Sequence, residues 1–240
     1  MRWAVLALAA LALSGCETSA EKSAKLERAA LARLPAGPAP SGLKVTKPSR
    51  VLKVVSGTIL HDSEGTAAVL TLRSDSPSAL TAVPLEITLT GTAGSTLYSN
   101  TGPGLSPSLT SVSYIPAHGT VTWVDDQVQA AETPTMLKAV VGEGVRAAGQ
   151  PPAIEVHRGE VTKEAAGTEI KGTAVNRSSI AQRELVIYAV SAQGGTILAA
   201  GRAVLRELGA GSSAAFSILL IGSAPAGASI TLSAPPTTLR

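Results

Sequence analysis

The 240-residue chain has one cysteine, three histidines and almost no aromatic side chains, which make up 2% of it. Each scarcity excludes something. A lone cysteine leaves no internal disulfide and no cysteine-built metal site. The histidines, His61, His118 and His157, stand far apart in sequence, so none has a second histidine at metal-ligand spacing. Beyond the first residues the only aromatics are Tyr98, Tyr114, Trp123, Tyr188 and Phe216. That is too few for the stacking platforms on which nucleic-acid bases or sugars rest. Charge is sparse as well: 20 Lys and Arg face 17 Asp and Glu, for a net charge of +3, with no block of like sign. No electrostatic footprint for nucleic acid is present, and no nucleic-acid partner is expected. No apolar run approaches the roughly 20 residues that a membrane-spanning helix needs.

The apolar run that does exist is short. Trp3 to Leu13 is unbroken, Arg2 is the only charge before Glu17, and small residues follow. A basic start, a short apolar stretch and a small-residue site are the layout of a secretory signal peptide. Its end, Leu13-Ser14-Gly15-Cys16, resembles the lipobox of bacterial lipoproteins: leucine, two small residues, cysteine. The resemblance implies that Leu13, Ser14 and Gly15 are read by the signal peptidase and that the chain is cut before Cys16. It further implies that the Cys16 thiol is diacylated and that the new amine is often acylated too. Two or more acyl chains hold a protein on a bilayer stably, whereas one holds it marginally. An ordinary signal peptide with an incidental cysteine is the alternative. Loss of Arg2 with the signal takes the net charge from +3 to +2. The implied location is the extracytoplasmic side of the envelope: the outer leaflet of the plasma membrane, or an outer membrane where the cell has one.

After Cys16 comes a polar, Ala-rich stretch. Leu26, Ala29, Ala30 and Leu34 fall at helical spacing, and PAGPAPSG at 35–42 ends any helix there. Residues 16–43 read as lipid anchor and tether, with a partner-binding helix as the sharper alternative. From Leu43 onward the pattern is β: short alternating runs such as AAVLTLRSD (67–75), VPLEITLTG (83–91), TVTWVDD (120–126), TEIKGTAVN (168–176), ELVIYAVSA (184–192) and AFSILLIG (215–222), split by turn residues.

These runs repeat. Residues 52–65 lie over 154–167 at an offset of 102, with Gly57 on Gly159 and Gly65 on Gly167. Val83, Leu85 and Ile87 lie over Leu185, Ile187 and Ala189 at the same offset. Later the offset is 93, which sets Trp123 on Phe216 and 136–141 on 229–234. The nine-residue difference falls around Ser95–Ser108, where the first copy carries extra chain. Gly149-Gln150-Pro151-Pro152 separates the copies as a short linker. The expected organisation is a signal peptide (1–15), anchor and tether (16–43), one β-domain (44–148) and a second (149–240). The expected fold class is all-β: two tandem immunoglobulin-like β-sandwiches of about seven strands each. Trp123 and Phe216, each alternating with small inward neighbours, are expected to be the largest core groups of their copies.

The second copy resembles the FxLYD-type domains of bacterial envelope proteins. The likeness rests on Gly172-Thr173-Ala174-Val175-Asn176-Arg177-Ser178, on Gly194-Gly195 and Gly201, on Leu208-Gly209-Ala210-Gly211, and on Phe216. It departs at the name-giving motif, where Tyr188-Ala189-Val190-Ser191-Ala192 lacks the Tyr and Asp, and the first copy keeps less, with Ser74 where Asn176 stands. It covers about 154–234 well and 52–141 weakly. It implies a fold and an envelope setting and carries across no catalytic residue.

The chemistry-bearing clusters are few. His61-Asp62-Ser63-Glu64 reads as a solvated turn, since a catalytic triad draws its members from separate elements. Asp125-Asp126, with Glu132 nearby, has the wrong spacing for a calcium loop, and adjacent acids on a strand point to opposite faces. No phosphate-cradling loop and no G-x-S-x-G elbow occurs. No catalytic, cofactor-binding or metal-ligating residue is assigned, and no cofactor is expected. The functional expectation is a membrane-anchored, non-enzymatic envelope lipoprotein. It contacts the membrane through lipidated Cys16 and acts as a structural or protein-interaction module, with the Ser99–Ser108 loop as the guess for the contact surface. The alternative is a small-ligand carrier with an apolar cleft between sheets or domains.

Overall fold

A computed structural model describes residues 17–32, 42–164 and 167–240. Leu13, Ser14, Gly15 and Cys16 lie outside the described residues. Strand makes up 57% and helix 8%, which makes this a mostly-β protein.

The chain opens with helix α1 (Ser19–Leu31), then β1 (Leu52–Asp62), β2 (Gly65–Ser74), β3 (Leu80–Thr90) and β4 (Thr96–Ser99). One helical turn, α2 (Pro107–Thr110), leads into β5 (Ser111–Ile115), β6 (Thr120–Val128), β7 (Met136–Val141) and the two-residue β8 (Val145–Arg146). The second half comprises β9 (Ile154–Glu164), β10 (Gly167–Asn176), β11 (Gln182–Gln193), β12 (Thr196–Leu208), β13 (Ser213–Gly222) and β14 (Ser229–Ser233). In the first half, β1-β2-β6 form one sheet, and β3 is the centre of a second that carries β4, β5, β7 and β8. In the second half all six strands join in the order β14-β11-β12-β13-β10-β9, a sheet curled into a nearly closed barrel. The described strands number eight and six rather than seven and seven. The first half gains because its extra chain splits one long strand into β4 and β5.

The two halves pair their strands alike. Leu70 faces Trp123 across β2 and β6, and Gly172 faces Phe216 across β10 and β13. Ile87 faces Ala139, and Ala189 faces Leu232. Both matches fall at the offsets of 102 and 93 read from the sequence. Ala82 and Glu184, also 102 apart, hold φ of 47° and 50° and mark the same irregularity in β3 and β11. The turn after β2 repeats as well: the Ser74 Oγ accepts from the Ser76 N–H, and the Asn176 Oδ1 accepts from the Ser178 N–H.

Alternation explains the burial. Val83, Leu85, Ile87 and Leu89 are fully buried along β3, as are Leu185, Ile187 and Ala189 along β11. Trp123 is fully buried and Phe216 is 6% exposed, so both aromatics are core groups as expected. Phe216 needs a glycine opposite it: a Cβ on Gly172 would lie 2.4 Å from its Cζ. One buried cluster fills the first half and continues into the second through Val186, Tyr188, Ala200 and Ile221, and the other lies inside the second half. The halves therefore share an apolar seam. The C-terminal tail adds to it where the Ser113 hydroxyl donates to the Pro235 carbonyl at 3.3 Å, and the tail is held to the second half by Gln182, which binds Thr237 and Thr238.

Ser191 sits within this packing, fully buried, with no hydrogen-bond partner for its Oγ. An orphaned hydroxyl carries an uncompensated desolvation cost. Ser191→Ala is expected to raise stability by roughly 1 kcal/mol, read as a higher urea midpoint at unchanged m-value.

Candidate functional site

The polar concentration of the molecule lies where α1 meets both halves. The helix starts cleanly: the Thr18 side chain accepts from the Glu21 N–H, and the Glu21 carboxylate accepts from the Thr18 N–H, a complete capping box. Its buried face is Ser19, Ser23 and Glu27, one residue per turn, while Leu26 is 53% exposed. Within the stretch read from the sequence as a tether, residues 19–31 form a docked helix, and its buried face is the polar row rather than the Leu26-Ala29-Ala30 stripe.

Arg202 is the hub. It sits on β12, its side chain is 1% exposed, and it pairs with two carboxylates: Glu27 of α1 through Nη2 and Asp126 of β6 through Nε, the latter at 3.4 Å. Its Nη1 donates to the Ser108 Oγ at 3.0 Å, and its backbone N–H donates to the Asp126 Oδ2 at 3.1 Å. The Asp126 Oδ2 also accepts from the Ser23 hydroxyl at 2.7 Å. The Arg202 Nε and Asp126 Oδ1 have no hydrogen bond, so their contact is charge attraction alone. Glu27 additionally accepts from the Gln127 amide and from the Ser108 hydroxyl. Asp125 accepts from the Tyr98 hydroxyl at 2.7 Å and from the Gln127 N–H at 2.9 Å.

Local geometry puts these groups together. Gly201 precedes Arg202, and a Cβ there would lie 2.1 Å from the Leu219 carbonyl, so glycine lets β12 cross close to β13. The β2–β6 register slips between Thr66 and Ala68, opposite Val128 and Asp125, and the extra residues of this bulge carry Asp126 towards α1 and β12. Asp125 and Asp126 thus reach different partners, and both are fully buried. Burial pushes Asp126 up to about 6 against the pull of Arg202, and raises Asp125 despite its bond from Tyr98. For Arg202, burial opposes the charge, but Glu27 and Asp126 outweigh it and hold the guanidinium above its ordinary range. Desolvation likewise raises the phenols of Tyr98 and Tyr188.

The other sequence candidates lie elsewhere. The His61-Asp62-Ser63-Glu64 stretch is the β1–β2 turn, with His61 and Ser63 exposed as expected, but its half-buried acids are engaged: the Asp62 Oδ2 accepts from the Gly222 N–H at 2.7 Å, and Glu64 binds Ser19 through its carboxylate and Ala20 through its carbonyl. It ties α1 and the second half to β1 and β2. The His61 Nδ1 lies 2.8 Å from the Thr66 Oγ1, and His157 pairs with Glu155 at 3.2 Å. His118 occupies a left-handed turn position with φ 50°. Glu132 lies exposed in a bend away from the cluster. Among the described residues no group of His, Cys, Asp and Glu is arranged to hold a metal ion. The Ser99–Ser108 loop is anchored from both ends, with Pro103 and Gly104 exposed at its tip. Asn100 is fully buried and binds the Leu85 and Leu109 carbonyls and the Ile87 N–H, and the Ser108 carbonyl accepts from the Trp123 indole at 3.0 Å. The extra chain plugs the first half and delivers Ser108 to Arg202.

Sequence reading missed Arg202, Glu27, Ser23 and Tyr98. Two signals were available: a single charge inside the apolar run ILAAGRAVL, and a Ser-Ser-Glu row at helical spacing, since a buried charge is retained only when paired.

A cleft of about 180 Å³ opens beside the cluster, lined by Leu26, Glu27, Arg202, Val204 and Phe216. A shallower one of about 540 Å³ lies between the halves beside His61, Asp62 and Lys163. Chemically the cluster is a clamp: it joins helix, first half and second half through ionic and hydrogen-bonded contacts. No family model matches the chain, and no curated protein is similar to it at a significant level.

Proposed function

We propose that this protein is a lipid-anchored, non-enzymatic component of a bacterial cell envelope. It is held on the extracytoplasmic face of the membrane by Cys16 and works as a structural or protein-interaction module. Its two halves are read as tandem immunoglobulin-like sandwiches related to the FxLYD type, the reading that their matching strand order and register support best. The observation that carries the function is the succession Leu13-Ser14-Gly15-Cys16 followed, three residues on, by the first residue of a capped and docked helix. Three extended residues span about 10 Å. A lipid on Cys16 therefore holds the β body against the membrane surface instead of on a long leash, which suits a protein that braces or recruits partners at that surface.

Release from the membrane tests the anchor. Wild-type protein is expected in the membrane pellet after a carbonate wash, and a Cys16→Ser variant behind a signal cut by an ordinary signal peptidase in the soluble fraction. A variant that stays in the pellet contradicts lipid anchoring. The roughly 540 Å³ cleft, with Ile59, Leu60, Leu198 and Ala224 on its walls, favours a second reading as a small-ligand carrier. A co-purifying apolar molecule, released on denaturation and detected by mass spectrometry, is its signature.

A further inference from the structure

We propose that α1 is a releasable strap, docked at acidic pH and loosened as pH rises and negative charge builds up in the Glu27–Arg202–Asp126 cluster beneath it. The strap stands on the geometry of the cluster. Only its consequence for reach from the membrane rests on lipid anchoring at Cys16.

The helix is fastened mainly by polar groups. Its buried residues are Ser19, Ser23 and Glu27; of its two leucines Leu26 faces out and Leu31 is half-buried, and Ala20 packs against the core. Little apolar area holds it, so the docking free energy lies in hydrogen bonds and ion pairs and varies with their charge. Thirteen residues make a marginal helix without tertiary support. Release therefore melts α1, and amide exchange reports it.

The charges beneath it are unbalanced. Three carboxylates face one guanidinium: Glu27 on α1, Asp125 and Asp126 on β6, and Arg202 on β12. The remaining described groups packed around Asp126 add no positive charge: Ser23 on α1, Tyr188 on β11, Tyr98 on β4 against Asp125, Gln127 on β6 and Ser108 in α2. Burial has moved the proton of Asp126 up to about pH 6, so the cluster keeps that proton in acid and loses it towards neutrality. The sign follows. A carboxyl group whose docked pKa is raised favours the docked state while protonated and opposes it once ionised. Ser23 of α1 donates directly to Asp126, a bond that favours the ionised acid, so the pH response comes from the cover that α1 lays over the fully buried carboxyl.

Docked, α1 holds the body within a few residues of Cys16. Released, residues 17–32 become a flexible linker with a root-mean-square reach of about 20 Å. The body can then contact partners away from the bilayer.

Hydrogen exchange by mass spectrometry on the full chain in detergent tests this, at pH 5.0 and 7.5 and corrected for intrinsic rates. Relief of one pKa unit on undocking gives about a fivefold rise in opening of the α1 amides between these conditions. β2 and β10 amides are expected to change far less. Asp126→Asn is expected to hold α1 at its acid-pH protection at both values. Flat wild-type exchange overturns the strap, as does an unchanged pH response in Asp126→Asn. If Asp126→Asn does not fold, the wild-type comparison decides alone: α1 and β2 amides opening together overturns the proposal, and α1 opening alone supports it. None of these readings needs the lipid, so an unmodified Cys16 would refute the anchor and leave the strap standing.

Discussion

Arg202→Met is expected to lower the stability of the protein by about 3–5 kcal/mol at pH 7.5, the range found when one partner of a buried ion pair is removed. Methionine fills much the same space, so the loss is electrostatic. Glu27 and Asp126 stay buried without their only cation, and the Ser108 hydroxyl loses its donor. Urea unfolding reads the loss directly. The pH dependence has a fixed sign. Asp126 titrates near 6 with Arg202 in place, and removing that positive charge moves it further up. The deficit is therefore smaller at pH 5, where the carboxyl is protonated, than at pH 7.5. Adding Glu27→Gln and Asp126→Asn to Arg202→Met is expected to restore most of the loss, because a neutral polar site carries no unpaired charge. A deficit below about 1 kcal/mol, the scale of an exposed ion pair, means that the cluster is solvated and does not clamp the helix.

Trp123→Ala is expected to cost about 3–5 kcal/mol for the transfer and cavity terms of a fully buried aromatic. Three facts set the size. Trp123 is fully buried, it stands opposite Leu70 at the centre of the β2–β6 ladder, and its indole N–H is bonded to the Ser108 carbonyl. Trp123→Phe keeps most of the ring and loses the donor, so it isolates the hydrogen bond at about 1–2 kcal/mol. The two variants also differ in reach. Trp123→Ala frees the 99–108 loop and with it Ser108, so it is expected to loosen α1 as well as the first half. Phe216, its counterpart, lacks such a bond and packs over Gly172. Its removal is expected to disturb the second half without releasing the helix.

The β part was legible because alternation and offset are local properties of sequence. Val83, Leu85 and Ile87 alternate along one strand and are buried, and the residues overlaid by the offsets of 102 then 93 pair alike in the two halves, as Ile87 on Ala139 and Ala189 on Leu232 show. The junction was not legible. Helical periodicity selects the apolar stripe as the docking face, and here the surface that receives the helix is itself charged, so the Ser19-Ser23-Glu27 row turns in. A strand reading sends Asp125 and Asp126 to opposite faces but cannot say that both faces are buried, because that depends on α1 and β12 covering the bulge. The loop at 99–108 read as surplus chain. Its Asn100 and Ser108 are structural because of distant partners, which composition does not reveal. The same holds for HDSEG, whose Asp62 meets Gly222 from 160 residues away.

The most direct measurement is the mass of the N-terminal peptide of protein purified from membranes. A peptide beginning at Cys16 and carrying a thioether-linked diacylglycerol, with or without an acyl group on its amine, is the predicted product. A peptide cut elsewhere, or one whose Cys16 thiol is free, contradicts the anchor and removes the basis for placing the β body at the membrane surface.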